Sequence, residues 1–354
     1  MTGSNDDSRP PQAMPYHRGD GVTLYTGDAT AGVAALPDTS VDCLVTSPPY
    51  WRLRDYVPDS RTRGRPGCRI RPASRRGRER CKCRDCAVRA HAQIGLESTA
   101  AGYVAALREV FTAARRVLTA RATVWINLGD SYSTNSDGYW CSGPGQARQP
   151  RYRPPADVPH KNLLGMPWRV ALALQDDGWI LRSAIVWHKA HATPTSIRDR
   201  LACRHETIFL LVTQPDYYFD LDAIRQPYTG DRALSRRAHR GGRKPNTATG
   251  TWPRTAADAQ RGRNPGNVWT ITPDRSRTGH PAPAPLEIPR RCIAAGCPPG
   301  GHVLDPFSGA GTTGLAAREL GRTFTGIDTN PAYHKIAVRR FTEQQVAAHE
   351  GRRE

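Results

Sequence analysis

The chain has 354 residues, 38% of them hydrophobic, and carries a formal net charge of +19 at neutral pH. That size allows one large domain with insertions or two domains, and the charge points to a polyanionic partner. No run approaches the ~20 apolar residues of a membrane span, and nine cysteines behind a polar N-terminus exclude a secreted disulfide framework and favour a reducing cytoplasm.

Residues 1–19, rich in Pro, Asp and Ser, read as a disordered tail. Val22–Tyr25 predicts a strand, and Asp28 beyond it suits a helix N-cap. Val41–Val45 is a short apolar run that predicts a buried strand. It is stopped by Thr46-Ser47-Pro48-Pro49-Tyr50-Trp51. Neither proline has an N–H, and each restricts the residue before it. A stiff turn therefore forms at a strand's carboxyl end, where ligands bind in open α/β sheets. The Ser47 hydroxyl, the turn's carbonyls and the Tyr50 ring suit gripping a planar heterocycle by its amino group while stacking on its face. Trp51 beside Tyr50 could narrow such a pocket toward a pyrimidine.

The segment 58–92 is dense in arginine and contains Cys68, Cys81, Cys83 and Cys86. Two readings stay open: four thiolates closing a structural zinc site in a loop too polar to fold alone, or a basic loop lying against DNA. From Thr99 to Leu118 apolar residues recur at helical spacing, and Ala122–Leu128 predicts a buried strand. Asp130 follows that strand at the edge where Ser47 lies; it could orient the target amino group or cap the next turn. Residues 135–160 interleave arginines with aromatics, which suits either a nucleic-acid backbone with base stacking or an idle surface loop. A helix over Leu163–Gln175 and strands over 179–187 and 206–212 follow. His205-Glu206 is not a zinc-protease motif, because position 209 is Phe.

Residues 223–267 lose their large aliphatics and alternate Arg with Gly, Thr, Asn and Pro. The apolar pattern resumes at Asn267-Val268-Trp269, and a Pro-rich approach leads to a helix over Leu286–Ala295. The strand His302-Val303-Leu304 runs into Asp305-Pro306-Phe307-Ser308-Gly309-Ala310-Gly311-Thr312-Thr313-Gly314, which opens another helix. Small residues there let backbone N–H groups approach a phosphate or nucleoside. The spacing is neither that of a dinucleotide fold nor that of a P-loop. Asp328 ends the strand Thr323–Asp328, where its two oxygens suit the ribose hydroxyls or cap a helix. A helix from Ala332 to about Ala347 runs into a charged tail, 346–354.

Taken together, Ser47-Pro48-Pro49-Tyr50 and the Asp305 loop, each behind a strand, resemble the amino-directed DNA methyltransferases. The tetrapeptide precedes the glycine loop, an order that resembles the permuted, beta-type branch of that family. The resemblance runs from about Leu24 to Arg340. It implies a doubly wound, Rossmann-like α/β methyltransferase sheet over 20–345, interrupted by the basic insertions 58–92 and 223–267. The second matches the family's target-recognition region by position. S-adenosylmethionine (SAM) is the implied methyl donor, held by Asp28, Pro283, Asp305, Pro306, Phe307, Ser308, Gly309, Gly311, Thr312 and Asp328. Asp28 would meet its adenine, and the stretch around Pro283 its methionine end. Ser47, Pro48, Pro49 and Tyr50, with Asp130, form the implied catalytic group. The link from His188-Lys189 to His205-Glu206 also resembles the family's pattern and would line the DNA-facing side of the pocket, with no catalytic role for His205.

The expected reaction is methyl transfer to the exocyclic N4 of a flipped-out cytosine in double-stranded DNA. The same reaction on adenine N6 is the alternative, because adenine enzymes of the family more often begin the tetrapeptide with Asp. A non-catalytic DNA-binding protein on the same fold, and a protein-glutamine methyltransferase, are further readings. The resemblance also implies a cytoplasmic, nucleoid-associated protein with no membrane partner and a cognate restriction endonuclease.

Overall fold

The structure is a computed structural model and describes residues 13–53, 56, 93–133, 158–159, 161–192, 197–227, 261–274 and 284–350. Among these, nine strands pair into one sheet. They are β1 (Met14–Gly19), β2 (Val22–Thr26), β3 (Val41–Thr46), β4 (Leu118–Leu128), β5 (Ile180–His188), β6 (His205–Val212), β7 (Val268–Thr270), β8 (His302–Asp305) and β9 (Thr323–Asp328). Their order across the sheet is β1-β2-β9-β8-β3-β4-β6-β5-β7. The run from β2 to β4 is parallel, whereas β6 is antiparallel to both β4 and β5. The central β3 is nearly all buried, as a parallel strand covered on both faces must be.

Among the described residues, six helices cover the sheet: α1 (Ala29–Ala34), α2 (Ala100–Val117), α3 (Met166–Asp176), α4 (Glu287–Gly296), α5 (Thr312–Glu319) and α6 (Pro331–Glu350). The core divides accordingly into two clusters. One gathers Val33, Leu107, Phe111, Val170 and Leu174 from α1, α2 and α3; the other gathers Ile288, Cys292, Ala316 and Phe341 from α4, α5 and α6. This is the doubly wound α/β architecture expected.

Local chemistry explains where α2 begins and which face it buries. Thr99 caps it by accepting from Gly102 N at 3.0 Å. Tyr103, Leu107, Val110, Phe111, Ala114 and Val117 then form one buried stripe. Arg116 near its end donates to the carbonyls of Ala34 and Leu36, satisfying groups left open at the end of α1.

Two expectations about the termini are corrected. Residues 14–19 are not part of a disordered tail: Met14–Gly19 pairs antiparallel with β2 through the tight turn Asp20-Gly21. The edge backbone of β2 is thereby satisfied, which polar side chains do not prevent. The last helix also continues past residue 346 to Glu350, so part of the expected charged tail is helical. Within 223–267, the described residues include a 3-10 turn at Asp222–Ile224 and a bridge between Gln226 and Arg263. The remainder, 228–260, lies outside the described residues. No described helix is long and apolar enough to cross a membrane.

Candidate active site

The two sequence motifs meet because β3 and β8 are parallel neighbours, with Leu44 beside Leu304. Their carboxyl ends are joined through Asp305. Thr46 Oγ1 donates to its Oδ1 at 2.6 Å and Phe307 N donates to the same oxygen at 3.0 Å. Thr313 Oγ1 donates to Oδ2 at 2.7 Å. Burial pushes the Asp305 carboxyl above its ordinary range, and these donors pull against that shift. Asp305 thus braces the proline turn against the glycine loop.

The loop itself needs its glycines. Gly309 and Gly311 have φ of +47° and +77°, a region that L side chains rarely enter. A Cβ on Gly311 would also lie 2.8 Å from Ala337 Cβ. Asp328, at the end of β9, accepts from Gly309 N at 2.9 Å and from Asn330 N at 2.8 Å. Desolvation pushes its carboxyl up to about 6. Ser308 Oγ is buried with no hydrogen-bond partner among the described residues.

A cavity of about 470 Å³ spans both motifs. Asp28, Ser47, Pro48, Pro49, Tyr50, Asp305, Pro306, Phe307, Ser308, Gly309, Thr312 and Asp328 all line it. Asp28 also caps α1, accepting from Thr30 N and Ala31 N at 2.9 and 3.2 Å through one oxygen. Gly311 stands behind the lining as the left-handed residue before α5. Asp130 does not line the cavity: its Oδ1 accepts from Ser131 N at 2.8 Å and Met166 N at 3.0 Å, the capping alternative. Pro283 lies outside the described residues, as do Cys68, Cys81, Cys83 and Cys86. Among the described residues no group of His, Cys, Asp and Glu could hold a metal ion.

The Ser47–Tyr50 side of the cavity is held together through Asn127, Glu206 and Lys189. Ser47 Oγ donates to Tyr50 Oη at 3.3 Å, and Asn127 Nδ2 donates to the same phenol at 3.1 Å. Tyr50 Oη donates in turn to Glu206, which also accepts from Asn127 Nδ2 at 2.8 Å and pairs with Lys189. Burial, and then the Glu206 charge, hold the Tyr50 phenol well above its ordinary pKa, so it stays protonated. Its ring lies against Gly129, where a Cβ would come within 2.5 Å of Cε2. Tyr103 takes the Pro49 carbonyl at 3.0 Å.

A protein-family model described as DNA methylase matches residues 41–339, from the first residue of β3 into α6. The chain belongs to the DNA methylase family. The Type II methyltransferase M.Cfr9I of Citrobacter freundii is 35% identical to this methylase over 346 residues, 96% of this chain and 95% of that protein. The Type II methyltransferase M.XycI of Xanthomonas campestris pv. cyanopsidis is 36% identical, covering 92% of this chain and 89% of that one. Among solved structures, PvuII DNA methyltransferase (cytosine-N4-specific) matches with a TM-score of 0.58 and 17% identity, over 94% of this chain and 90% of that one. That likeness concerns the fold.

Within the methylase, Trp51 does not narrow the pocket as expected. It is 1% exposed in the core and donates from Nε1 to Glu97 O at 3.0 Å. Trp125 and Trp187 line the cavity instead. Asn127 was missed because it lies in a run read only as a buried strand, whereas Lys189 and Glu206 belong to the link from His188 to Glu206 expected to line the pocket, and both line the cavity. The available signal was an acid and a base flanking the apolar runs of the β5–β6 hairpin, where Trp187 pairs with Glu206.

Proposed function

We propose that this DNA methylase transfers a methyl group from SAM to the exocyclic N4 of a cytosine flipped out of double-stranded DNA. The observation that carries the reading is one cavity lined at one end by Ser47, Pro48 and Tyr50 and at the other by the glycine loop and Asp328. Its volume of about 470 Å³ lies within the usual range for a small-molecule site. The chemistry of the second end fits a nucleoside donor. Gly309 and its neighbours leave the backbone bare, Ser308 Oγ is a buried hydroxyl without a partner among the described residues, and Asp328 and Asp28 supply acceptors for hydroxyl and amino groups. When bound, SAM supplies a methyl carried on a sulfonium, ready for direct displacement.

The protein's task is then alignment and charge handling. An exocyclic amine is weakly nucleophilic because its lone pair is delocalised into the ring. Ser47 Oγ and the Pro48 carbonyl would accept its two hydrogens, pulling the lone pair out of conjugation and toward the methyl. Tyr50 would lie on the base, since the target nitrogen is unreachable inside a duplex. Type II relatives at 34–36% identity support a restriction-modification setting with a partner endonuclease of the same specificity.

The test is to incubate unmodified DNA with labelled SAM, digest it to nucleosides and identify the labelled species by mass spectrometry. Label in N4-methyl-2′-deoxycytidine is expected, and label in N6-methyl-2′-deoxyadenosine alone overturns the cytosine assignment. Ser47→Ala should abolish the label in either case while SAM binding, measured by calorimetry, is retained.

A further inference from the structure

We propose that Ser47, Tyr50 and Glu206 form a proton relay that removes a hydrogen from the target amine as the new carbon–nitrogen bond forms. The proposal rests on the methylase reading above and adds a route for the proton. Three observations carry it. Ser47 Oγ donates to Tyr50 Oη at 3.3 Å, and Tyr50 Oη donates to Glu206, so both hydroxyls donate in the direction of the carboxylate. Asn127 Nδ2 bonds both the phenol, at 3.1 Å, and the carboxylate, at 2.8 Å, which fixes their separation. Lys189 engages the other Glu206 oxygen, so the carboxylate is pinned on both sides.

The transfer balances. The amine hydrogen passes to Ser47 Oγ, the serine hydrogen to Tyr50 Oη, and the tyrosine hydrogen to Glu206. Ser47 and Tyr50 end as neutral hydroxyls and Glu206 as a neutral acid. The nitrogen lone pair forms the bond to the incoming methyl, the pair of the broken N–H bond stays on nitrogen as its new lone pair, and the pair of the methyl's former bond leaves with its carrier. Glu206, whose side chain is 12% exposed, then returns its proton to water and restores the pair with Lys189. Glu206 touches no reacting atom; it acts through Tyr50 and is a positioning residue that also takes up the phenol's proton. Tyr50 ring placement is secured separately, by the close approach to Gly129.

Tyr50→Phe keeps the ring and cuts the relay, so it separates stacking from proton transfer. In single-turnover methylation of unmodified plasmid DNA, it should lower the rate by about a hundredfold or more, the range of a lost acid–base group. KM for DNA and SAM affinity should hold, and the slowing of the wild-type protein in D2O should vanish. A second measurement needs no turnover. In protein labelled with 13Cζ-tyrosine, the Tyr50 resonance, assigned by its absence in Tyr50→Phe, should titrate at lower pH in Glu206→Gln. A Tyr50→Phe variant with the wild-type rate and solvent isotope effect would overturn the relay, as would a Tyr50 titration indifferent to Glu206→Gln. A wild-type protein that labels no DNA would overturn the methylase reading as well, so the two failures are distinct.

Discussion

Asp328 and Asp305 are both strand-ending acids, yet their partners give them different work. Asp305 has both oxygens occupied by Thr46, Thr313 and Phe307 N, whereas Asp328 receives one backbone N–H on each oxygen and faces the cavity. Each Asp328 oxygen therefore keeps acceptor capacity for a ribose hydroxyl. Its carboxyl, pushed up to about 6, gives a pH dependence with a definite sign. Between about pH 4 and 6 the native state holds a proton that the unfolded chain has already released. Stability contributed by this group therefore falls as pH rises through that window. SAM binding should run the other way, because hydroxyl donors favour the ionised acid. Calorimetry should find affinity about tenfold weaker at pH 5 than at pH 7.5, and Asp328→Asn should flatten that dependence. An affinity that is level across this range would remove Asp328 from the ribose role.

At the scale of elements, the site depends on strand ends being held level. The Thr46–Asp305 bond at 2.6 Å ties β3 to β8 at the point where both chains turn into the cavity. Thr46→Val keeps the shape but removes one donor from a buried acid, which should cost about 2 kcal/mol in chemical denaturation. SAM affinity should fall with it if the brace sets the loop. The same scale shows what the sequence could disclose. Ser47–Tyr50 and Asp305–Gly311 are contiguous, and each sits behind an apolar run whose end is plain. Their joining was legible too, since both motifs require a strand's carboxyl end. The bond from Tyr50 to Glu206 was not. Glu206 opens β6, which runs antiparallel to β4, and the register setting Leu128 opposite Thr207 brings it to the edge where β3 and β4 finish. Nothing in a linear pattern specifies that register. Asp130 misled for the related reason that its own carboxylate turns to Met166 N at the start of α3, while Asn127, three residues earlier, faces the cavity.

On the scale of the whole molecule, positive charge must meet a duplex at the edge where the cavity opens. The described part of that edge carries exposed Arg198 and Arg204 between β5 and β6, and Arg200 lies over the Tyr132 ring at 3.7 Å. Binding to DNA should weaken by about a thousandfold or more between 50 and 200 mM salt if six or more phosphates are neutralised, which fluorescence anisotropy can follow. A flat salt response would contradict a backbone-driven interface. The opposite rim is closed by short turns such as Cys297–Gly301 and Leu320–Arg322. Gly300 and Gly321 stand there with no heavy atom within 4 Å of an added Cβ, though each has positive φ. A fluorophore or surface tether belongs on that rim, beside those turns, where it would report on or immobilise a working enzyme without shading the face that DNA must reach.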